Sequence, residues 1–358
     1  MQGDIHKAKY KPDHRHAHHD SATTPCKTCL NTEFGLQTGT MTHTATDTAK
    51  LRIGTRGSPL ALAQAYEVRN LLAKAHADLS GENDIEIVVI STVADRVTDR
   101  ALSEIGGKGL FTKEIDEAQL KGEIDIAVHC IKDVPTLLPD GISMPVIMPR
   151  EDVRDAFISV KYKSFADMPA GSVVGTASLR RQAMVLNKYP HLKVETFRGN
   201  VQTRLRKLED GQADATLLAM AGLNRLGHPE IATHVIAEDD MLPAVGQGAI
   251  GLAIRTGDEK VANWLAPLHC HQTDLRITAE RAALRALDGS CKTPIAALAE
   301  LDANGTMRLR VAIIRPDGSE WLNTERVLEN PDLAGADKIG TDAGKELLER
   351  GGPDFILA

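Results

Sequence analysis

The chain has 358 residues, of which 42% are hydrophobic and 3% aromatic, and it carries a formal net charge of −7. This length predicts two or three domains, the acidic balance argues against non-specific binding to nucleic acid or anionic membranes, and no apolar run approaches the roughly eighteen residues that a membrane span needs. Five cysteines are too few for a disulfide scaffold, which favours a reducing compartment.

Residues 1–50 differ in composition from the rest of the chain. They hold six of the thirteen histidines, a single serine, five acidic residues and the motif CKTC at 26–29. We interpret them as a disordered N-terminal extension, and a zinc site at Cys26, Cys29 and nearby histidines is the alternative. The composition is poor for a transit peptide. We therefore expect a cytoplasmic protein, with a plastid location as the less favoured alternative.

From Leu51 onward, apolar strands alternate with amphipathic helices. The predicted elements are a strand at 51–55, a helix at 57–76, a strand at 85–92, a helix at 111–120 and a strand at 124–129. Ser58 is the predicted N-cap of the first helix, and Pro59 is its first residue, the position where proline is best tolerated. Strands that alternate with helices predict a mostly parallel α/β sheet.

A second unit of the same kind begins near Asp155. Its predicted strands lie at 155–160, 172–176, 193–197, 215–219 and 234–238. The glycine-rich strand at 244–256 has no helix before it, so we expect it to return to the first sheet. That return would make the first domain discontinuous.

The pattern changes after His271. A helix at about 273–287 precedes three strands joined by short turns, and a final helix covers about 333–350. Consecutive strands with short connections predict an antiparallel sheet. The predicted fold class is α/β with three domains, two of them flanking a cleft and the third a small C-terminal α+β domain. The predicted boundaries are 1–50 for the extension, 51–150 with 245–267 for domain 1, 151–244 for domain 2 and 268–358 for domain 3.

A basic stretch at 175–207 holds eight lysines and arginines against one acid, Glu195. A solvated surface is the plain interpretation, but the placement favours a binding site. Thr176 and Ser178 follow a strand and open a helix, where hydroxyls and free N–H groups bind anions. Arginine suits carboxylates because its planar fork binds both oxygens. The arginines in this stretch that we single out are Arg180, Arg181, Arg198 and Arg204. Ligands of α/β sheets bind beyond the strand ends, so we predict a cleft for a small molecule with several carboxylates.

The segment IAVHCIKDVP (126–135) is a hydrophobic strand that ends in Lys132 and Asp133. Such a pair is usually a surface ion pair. This strand end should nevertheless face the same cleft as Arg56 and Ser58, and a carboxylate among so many cations is expected to stay ionised.

Two loops complete the candidate site. The segment IGGKGLFTKE (105–114) lacks the spacing of a phosphate-binding loop, and we interpret it as a flexible lid that carries Lys108. In LDGSCKTP (287–294), Cys291 lies among turn-forming residues rather than the apolar neighbours typical of a buried thiol. This placement singles it out as a cysteine used for chemistry.

Eight segments, in order from about residue 51 to the C-terminus, resemble the porphobilinogen deaminase family, also called hydroxymethylbilane synthases. They are TRGSPLALAQA, GGKGLFTKE, DIAVHCIKDVP, GTASLRRQ, FRGNVQTRLRKL, AGLNRLG, LPAVGQGA and LDGSCKTP. The resemblance implies a monomer whose first two domains are like periplasmic binding proteins. It also implies a transferase of tetrapyrrole biosynthesis that joins four porphobilinogen molecules head to tail into hydroxymethylbilane and releases ammonia.

The same resemblance implies roles for individual residues. Cys291 would carry a dipyrromethane cofactor through a thioether bond, Asp133 would be the catalytic aspartate, and no metal is expected. The residues expected to hold cofactor and substrate are Arg56, Ser58, Lys108, Lys132, Thr176, Ser178, Arg180, Arg181, Arg198, Arg204, Arg225 and Gln247. Two positions depart from the family pattern: Cys130 stands where serine is common, and Glu104 where some members have lysine. The thiol is a weaker hydrogen-bond donor than a hydroxyl.

Two other functions remain as alternatives. A non-catalytic small-anion-binding protein would use the same cleft, but it would not need Cys291 on a loop and would normally carry a secretory signal. A nucleic-acid-binding module built on the basic stretch would need aromatic stacking residues. That stretch has only Tyr189 and Phe197.

Overall fold

A computed structural model of the chain describes residues 49–93, 109–289, 293–352 and 354–355. The strands, in chain order, are β1 (Leu51–Thr55), β2 (Ile85–Val89), β3 (Ile126–Cys130), β4 (Ile142–Ile147), β5 (Asp155–Ile158), β6 (Val173–Gly175), β7 (Lys193–Glu195), β8 (Ala215–Ala219), β9 (His234–Ile236), β10 (Ile250–Arg255), β11 (Ile295–Leu301), β12 (Met307–Ile314) and β13 (Trp321–Leu328). The α-helices are α1 (Pro59–Ala75), α2 (Lys113–Leu120), α3 (Leu179–Lys188), α4 (Val201–Glu209), α5 (Met220–Arg225), α6 (Glu259–Leu265), α7 (His271–Ala286) and α8 (Leu333–Gly351).

Several sequence predictions concern residues beyond these ranges. The predicted disordered extension and the alternative zinc ligands Cys26 and Cys29 lie outside the described residues, as do Glu104, Lys108 and Cys291. The expectations stated for them stay predictions.

The first sheet has the strand order β2-β1-β3-β10-β4. Strand β1 pairs in parallel with β2 and β3, whereas β10 runs antiparallel to both β3 and β4. The return of the chain to this sheet therefore places β10 between two strands that come more than a hundred residues earlier. Apolar side chains on α1 and on these strands, including Leu72 and Ile126, form one buried cluster.

The second sheet repeats this arrangement with the order β7-β6-β8-β5-β9. Strand β6 pairs in parallel with β7 and β8, and β5 is antiparallel to β8 and β9. In both sheets the antiparallel strand is the first one that the chain forms after it crosses from the other sheet. The α/β fold class is confirmed, and the predicted mostly parallel character is modified by one antiparallel strand in each sheet.

The third sheet is antiparallel, in the order β11-β12-β13. Helices α7 and α8 pack on it around Ala279, Val311 and Leu347, which belong to one buried cluster. Its other face contributes Leu298 and Ile314 to the core of the second sheet. The second and third sheets therefore share a hydrophobic core.

The start of α1 shows how local sequence sets an element that positions the site. The Ser58 hydroxyl accepts a hydrogen bond from the Ala61 N–H at 3.3 Å, and Pro59 is the first helical residue. The predicted N-cap is thereby confirmed.

No helix in the described part of the chain has the length and apolar character that crossing a membrane requires.

Two crossover segments, at 148–154 and 237–249, join the first and second sheets. Glu151 donates a backbone hydrogen bond to the Gly248 carbonyl at 3.2 Å. Gly248 has a φ of +88°, and a Cβ there would lie 2.5 Å from the Glu151 carbonyl oxygen. A side chain at this position would push the crossovers apart, so glycine is required where they meet.

Candidate active site

The first part of the candidate site is the short 3-10 turn Ile131–Asp133 that directly follows β3. Within the described part of the chain, the Asp133 carboxylate makes no hydrogen bond or ion pair. Burial lowers the pKa of the neighbouring Lys132, an effect to which Arg181 adds and which Asp133 opposes. The turn therefore places a carboxylate without a partner among the described residues next to a half-buried lysine.

Arginines from the second domain face this turn. Burial, together with the charges of Arg181 and Arg198, lowers the pKa of Arg204 to about 10, and the carboxylate of Asp133 opposes these effects. The Arg204 Nε donates to the Gly199 carbonyl at 2.9 Å. Asp133 follows β3 of the first sheet and Arg204 lies on α4 beside the second, so the fold brings charges from both sheets close together here.

Behind this surface lies a buried ion cluster centred on Asp155, the first residue of β5. Its carboxylate accepts hydrogen bonds from Arg180 Nη2 at 2.6 Å and from Arg181 Nη2 at 2.7 Å. Gln247 Nε2 donates to the same carboxylate at 2.9 Å. Burial alone would raise the pKa of Asp155, but the two guanidinium groups outweigh it and hold the pKa well below its ordinary value. The cluster keeps one net positive charge directly behind the cleft.

Arg180 and Arg181 make similar hydrogen bonds, but they differ in which neighbouring groups their charges influence. Arg180 also donates Nη1 to the Leu242 carbonyl at 2.7 Å, and Arg181 donates Nη1 to the Leu217 carbonyl at 2.8 Å. The Nε of each is buried without a hydrogen-bond partner. Arg181 is the one whose charge reaches Lys132 and Arg204. The sequence predicted both as ligands of carboxylates and missed Asp155 as their internal partner.

Arg225, at the end of α5, lies where the crossover meets α1. Its Nη2 donates to the Gly248 carbonyl at 3.1 Å, and its Nε lies 3.5 Å from the Glu67 carboxylate. Its charge also acts on the Cys130 thiol, whose pKa is raised by burial and by Asp133. The Gln64 amide donates to that thiol at 3.0 Å. The thiol at this unusual position is therefore paired with a side chain of α1.

Arg56 lies at the end of β1, with its guanidinium carbon 4.6 Å from the centre of the Phe111 ring. Burial, helped by the Arg56 charge, lowers the pKa of His129 to about 4. This histidine is therefore neutral at physiological pH. Arg56 contributes a cation to the same end of the first sheet as Asp133, because β1 and β3 are parallel neighbours.

Three predicted hydroxyl ligands serve the backbone at helix starts. Thr176 Oγ1 accepts from the Ser178 N–H at 3.2 Å, and Ser178 Oγ accepts from the Arg181 N–H at 3.4 Å. Ser58 has the same function at α1. Each hydroxyl still has its own proton to donate, so these contacts position the groups without consuming them.

A second buried cluster, which sequence reasoning missed, joins all three sheets. Glu280 on α7 accepts two hydrogen bonds from Arg150, at 2.6 and 3.0 Å. It also accepts from the backbone N–H groups of Gly246 and Ala299, at 2.8 and 2.9 Å. Arg150 and Gly246 lie on the two crossovers, and Ala299 lies on β11. The only sequence signal for this cluster is an acidic residue inside the apolar periodicity of α7.

The groups on this surface suit a ligand with several carboxylates. Lys132 makes no hydrogen bond to any described residue, and Arg204 interacts electrostatically with the neighbouring Asp133. Hydrogen bonds from such cations to carboxylates are among the strongest in proteins. In the described residues, no group of three or more His, Cys, Asp and Glu side chains could hold a metal ion. The residues present fit a cofactor that is an organic polyanion, as a dipyrromethane with its acetate and propionate groups would be.

Comparisons with known proteins identify families and structures that this chain resembles. The family profile described as "Porphobilinogen deaminase, dipyromethane cofactor binding domain" matches residues 51–263, and the one described as "Porphobilinogen deaminase, C-terminal domain" matches residues 275–349. The chloroplastic porphobilinogen deaminase of Pisum sativum is 56% identical over 312 residues, which cover 86% of this chain and 84% of that protein. The porphobilinogen deaminase of Paracoccus denitrificans is 54% identical over 306 residues, covering 86% of this chain and 96% of the other. Among solved structures, a periplasmic substrate-binding protein of an ABC transporter from Coxiella burnetii covers 62% of this chain and 92% of its own, at 14% identity and a TM-score of 0.40.

Proposed function

The chain belongs to the porphobilinogen deaminase family, and from this premise we propose that Asp133 is its catalytic carboxylate and Cys291 the attachment point of its cofactor. The enzyme is a transferase of tetrapyrrole biosynthesis that condenses porphobilinogen into hydroxymethylbilane with release of ammonia. It works with a dipyrromethane cofactor. The resemblance found in the sequence is thereby confirmed, whereas the residue roles are proposals.

The unpaired carboxylate of Asp133, beside Lys132 and facing Arg204, is the observation that carries this proposal. When porphobilinogen loses ammonia, its methylene carbon becomes positively charged, and a fixed carboxylate stabilises that charge. The attacking pyrrole must then lose a proton from its α-carbon, and the same carboxylate accepts it. Dipyrromethane, when bound, supplies the pyrrole to which the first substrate is joined.

The basic residues hold the carboxylates of substrate and cofactor. We assign this role to Arg56, Lys108, Lys132, Arg181, Arg198, Arg204 and Arg225, with hydroxyl donors from Ser58, Thr176 and Ser178. Arg180 and Gln247 act through Asp155, because their nitrogens hold its carboxylate. Every porphobilinogen bears two carboxylates, so the growing chain matches a cleft whose charge is opposite to that of the whole protein.

The first experiment is an intact mass under denaturing conditions. We expect an excess of two linked pyrrole units on the wild type and none on Cys291→Ala, because a thioether survives denaturation. Cys270→Ala is the matched control, since that thiol lies at the start of α7, and it should keep the excess. A wild type isolated without the excess that still gains no mass after porphobilinogen is added would overturn the function. An excess retained in Cys291→Ala would overturn the attachment point alone.

We further propose that the enzyme is a cytoplasmic monomer that binds neither nucleic acid nor membranes. The acidic net charge and the serine-poor extension support this, although the relatives include both a chloroplastic and a bacterial enzyme. Residues 1–50 fused to a fluorescent protein should leave it in the cytosol of plant cells, and accumulation in plastids would contradict that location.

Light scattering should give a mass near 38.7 kDa, and a value twice as large would exclude the monomer.

A further inference from the structure

The geometry points to Arg281 as a positioning residue that fixes the loop of Asp133 relative to α7, the helix that precedes Cys291 in the chain. This inference rests on the proposed function. Arg281 lies on α7, in the third domain, and no sequence motif singles it out.

The contacts of Arg281 are directed at the two residues that follow Asp133. Its Nη1 donates to the Val134 carbonyl at 3.1 Å, and its Nη2 donates to the Pro135 carbonyl at 2.5 Å. Within the described residues it has no acidic partner. Burial, with a contribution from the Arg285 charge, lowers its pKa to about 10. A partly buried guanidinium whose two terminal nitrogens donate to consecutive carbonyls fixes the position of a backbone segment.

Helix α7 holds the other end of the same turn as well. Ile277, one helical turn before Arg281, belongs to a buried cluster with Ile131, the first residue of the turn. Residues four apart lie on one face of a helix. The turn Ile131–Asp133 therefore has Ile131 in an apolar cluster with Ile277 of α7 on its N-terminal side and two hydrogen bonds from Arg281 on its C-terminal side.

The C-terminal end of α7 leads to the proposed anchor. The helix ends at Ala286, about 7.5 Å beyond Arg281 along its axis. The Gly289 N–H then donates to the Leu284 carbonyl at 2.9 Å, which closes the helix two residues before Cys291. Helix α7 thus leads from the contacts of Arg281 to Gly289, which precedes the proposed attachment residue Cys291 by two positions in the sequence.

This connection matters because the two reacting partners come from different domains. The proposed attachment residue of the dipyrromethane cofactor belongs to the third domain, and Asp133 belongs to the first. A misplacement of about 1 Å can cost on the order of a hundredfold in rate. The planar guanidinium fixes both carbonyls at once, which a single ammonium group cannot do with the same geometry.

The test uses Arg281→Gln and Arg281→Lys, with Arg285→Gln as the matched control one turn further along α7. Arg285 pairs with Asp337 at the surface. We expect kcat of Arg281→Gln to fall about tenfold or more while KM stays within about twofold, the pattern of an interaction needed in the transition state. Arg281→Lys should recover part of the loss, and Arg285→Gln should behave as wild type. The mass excess on Cys291 should be unchanged in all three.

A double variant separates positioning from mere support of the fold. If Arg281 acts through Asp133, adding Arg281→Gln to Asp133→Asn should lower turnover no further, because residues acting as a unit are non-additive. An unchanged kcat, or a loss that multiplies in the double variant, would overturn the inference. Failure of the proposed function is distinguishable, because it would show in the parent enzyme as a missing mass excess.

Discussion

Replacing Asp133 with asparagine is expected to lower the turnover of porphobilinogen by about 10²–10⁴-fold, the contribution typical of a general acid–base group. The amide has nearly the same shape, but it neither accepts the proton of the pyrrole carbon nor stabilises a neighbouring positive charge. Because Asp133 has no hydrogen bond or ion pair within the described residues, its loss breaks no structural contact there. The effect should therefore appear in kcat and not in stability.

The measurement is the rate of product formation, divided by the fraction of enzyme that carries the cofactor mass. Asp133→Glu keeps the charge and should lose less activity than Asp133→Asn. Asp140→Asn is the control, because Asp140 is an exposed acid a few residues further along the same loop. Turnover within about threefold of wild type in Asp133→Asn would remove this residue from the catalytic role.

The second large effect is expected from Glu280→Gln, which should lower the free energy of unfolding by about 3–5 kcal/mol. Glu280 is fully buried and accepts hydrogen bonds from Arg150, Gly246 and Ala299. The substitution leaves the Arg150 guanidinium buried without a counter-ion. Losing one partner of a buried pair costs far more than the intact pair contributes, because the remaining charge stays desolvated.

The measurement is the shift of the urea unfolding midpoint, with Asp337→Asn as the control. Asp337 on α8 pairs with Arg285 on α7, the helix of Glu280, but this pair is about half exposed. Removing it should change stability by less than about 1 kcal/mol. If the two variants are equally stable, Glu280 does not join the three sheets as the contacts indicate.

The local elements of this protein could be predicted from its sequence because they depend on short-range chemistry. Ser58 and Pro59 mark the start of α1 through capping and a fixed φ, and the structure begins the helix where they predict. The three strands after α7 alternate with short turns and form the antiparallel sheet expected of them. The order of the motifs also predicted the family, which the comparisons show.

The direction and pairing of the strands could be predicted less well from the sequence. The sequences of β5 and β10 are short and apolar. Such a sequence does not indicate whether the neighbouring strands are parallel or antiparallel. Their direction is decided by the two crossovers, which bring the chain into each sheet from the opposite domain. The close approach of Gly248 to Glu151 is part of this arrangement, and it involves residues almost a hundred positions apart.

By itself, the sequence determined the fold class, the family and the residue types of the cleft, because these follow from local patterns and ordered motifs. Only the tertiary structure decided which charges are available and which are already paired. Asp155 holds Arg180 and Arg181, Glu280 holds Arg150, and Arg281 reaches the carbonyls beside Asp133. The physical reason is that a buried charge is stabilised by whichever partner the fold brings within about 3 Å, and that partner lies at no fixed distance along the chain.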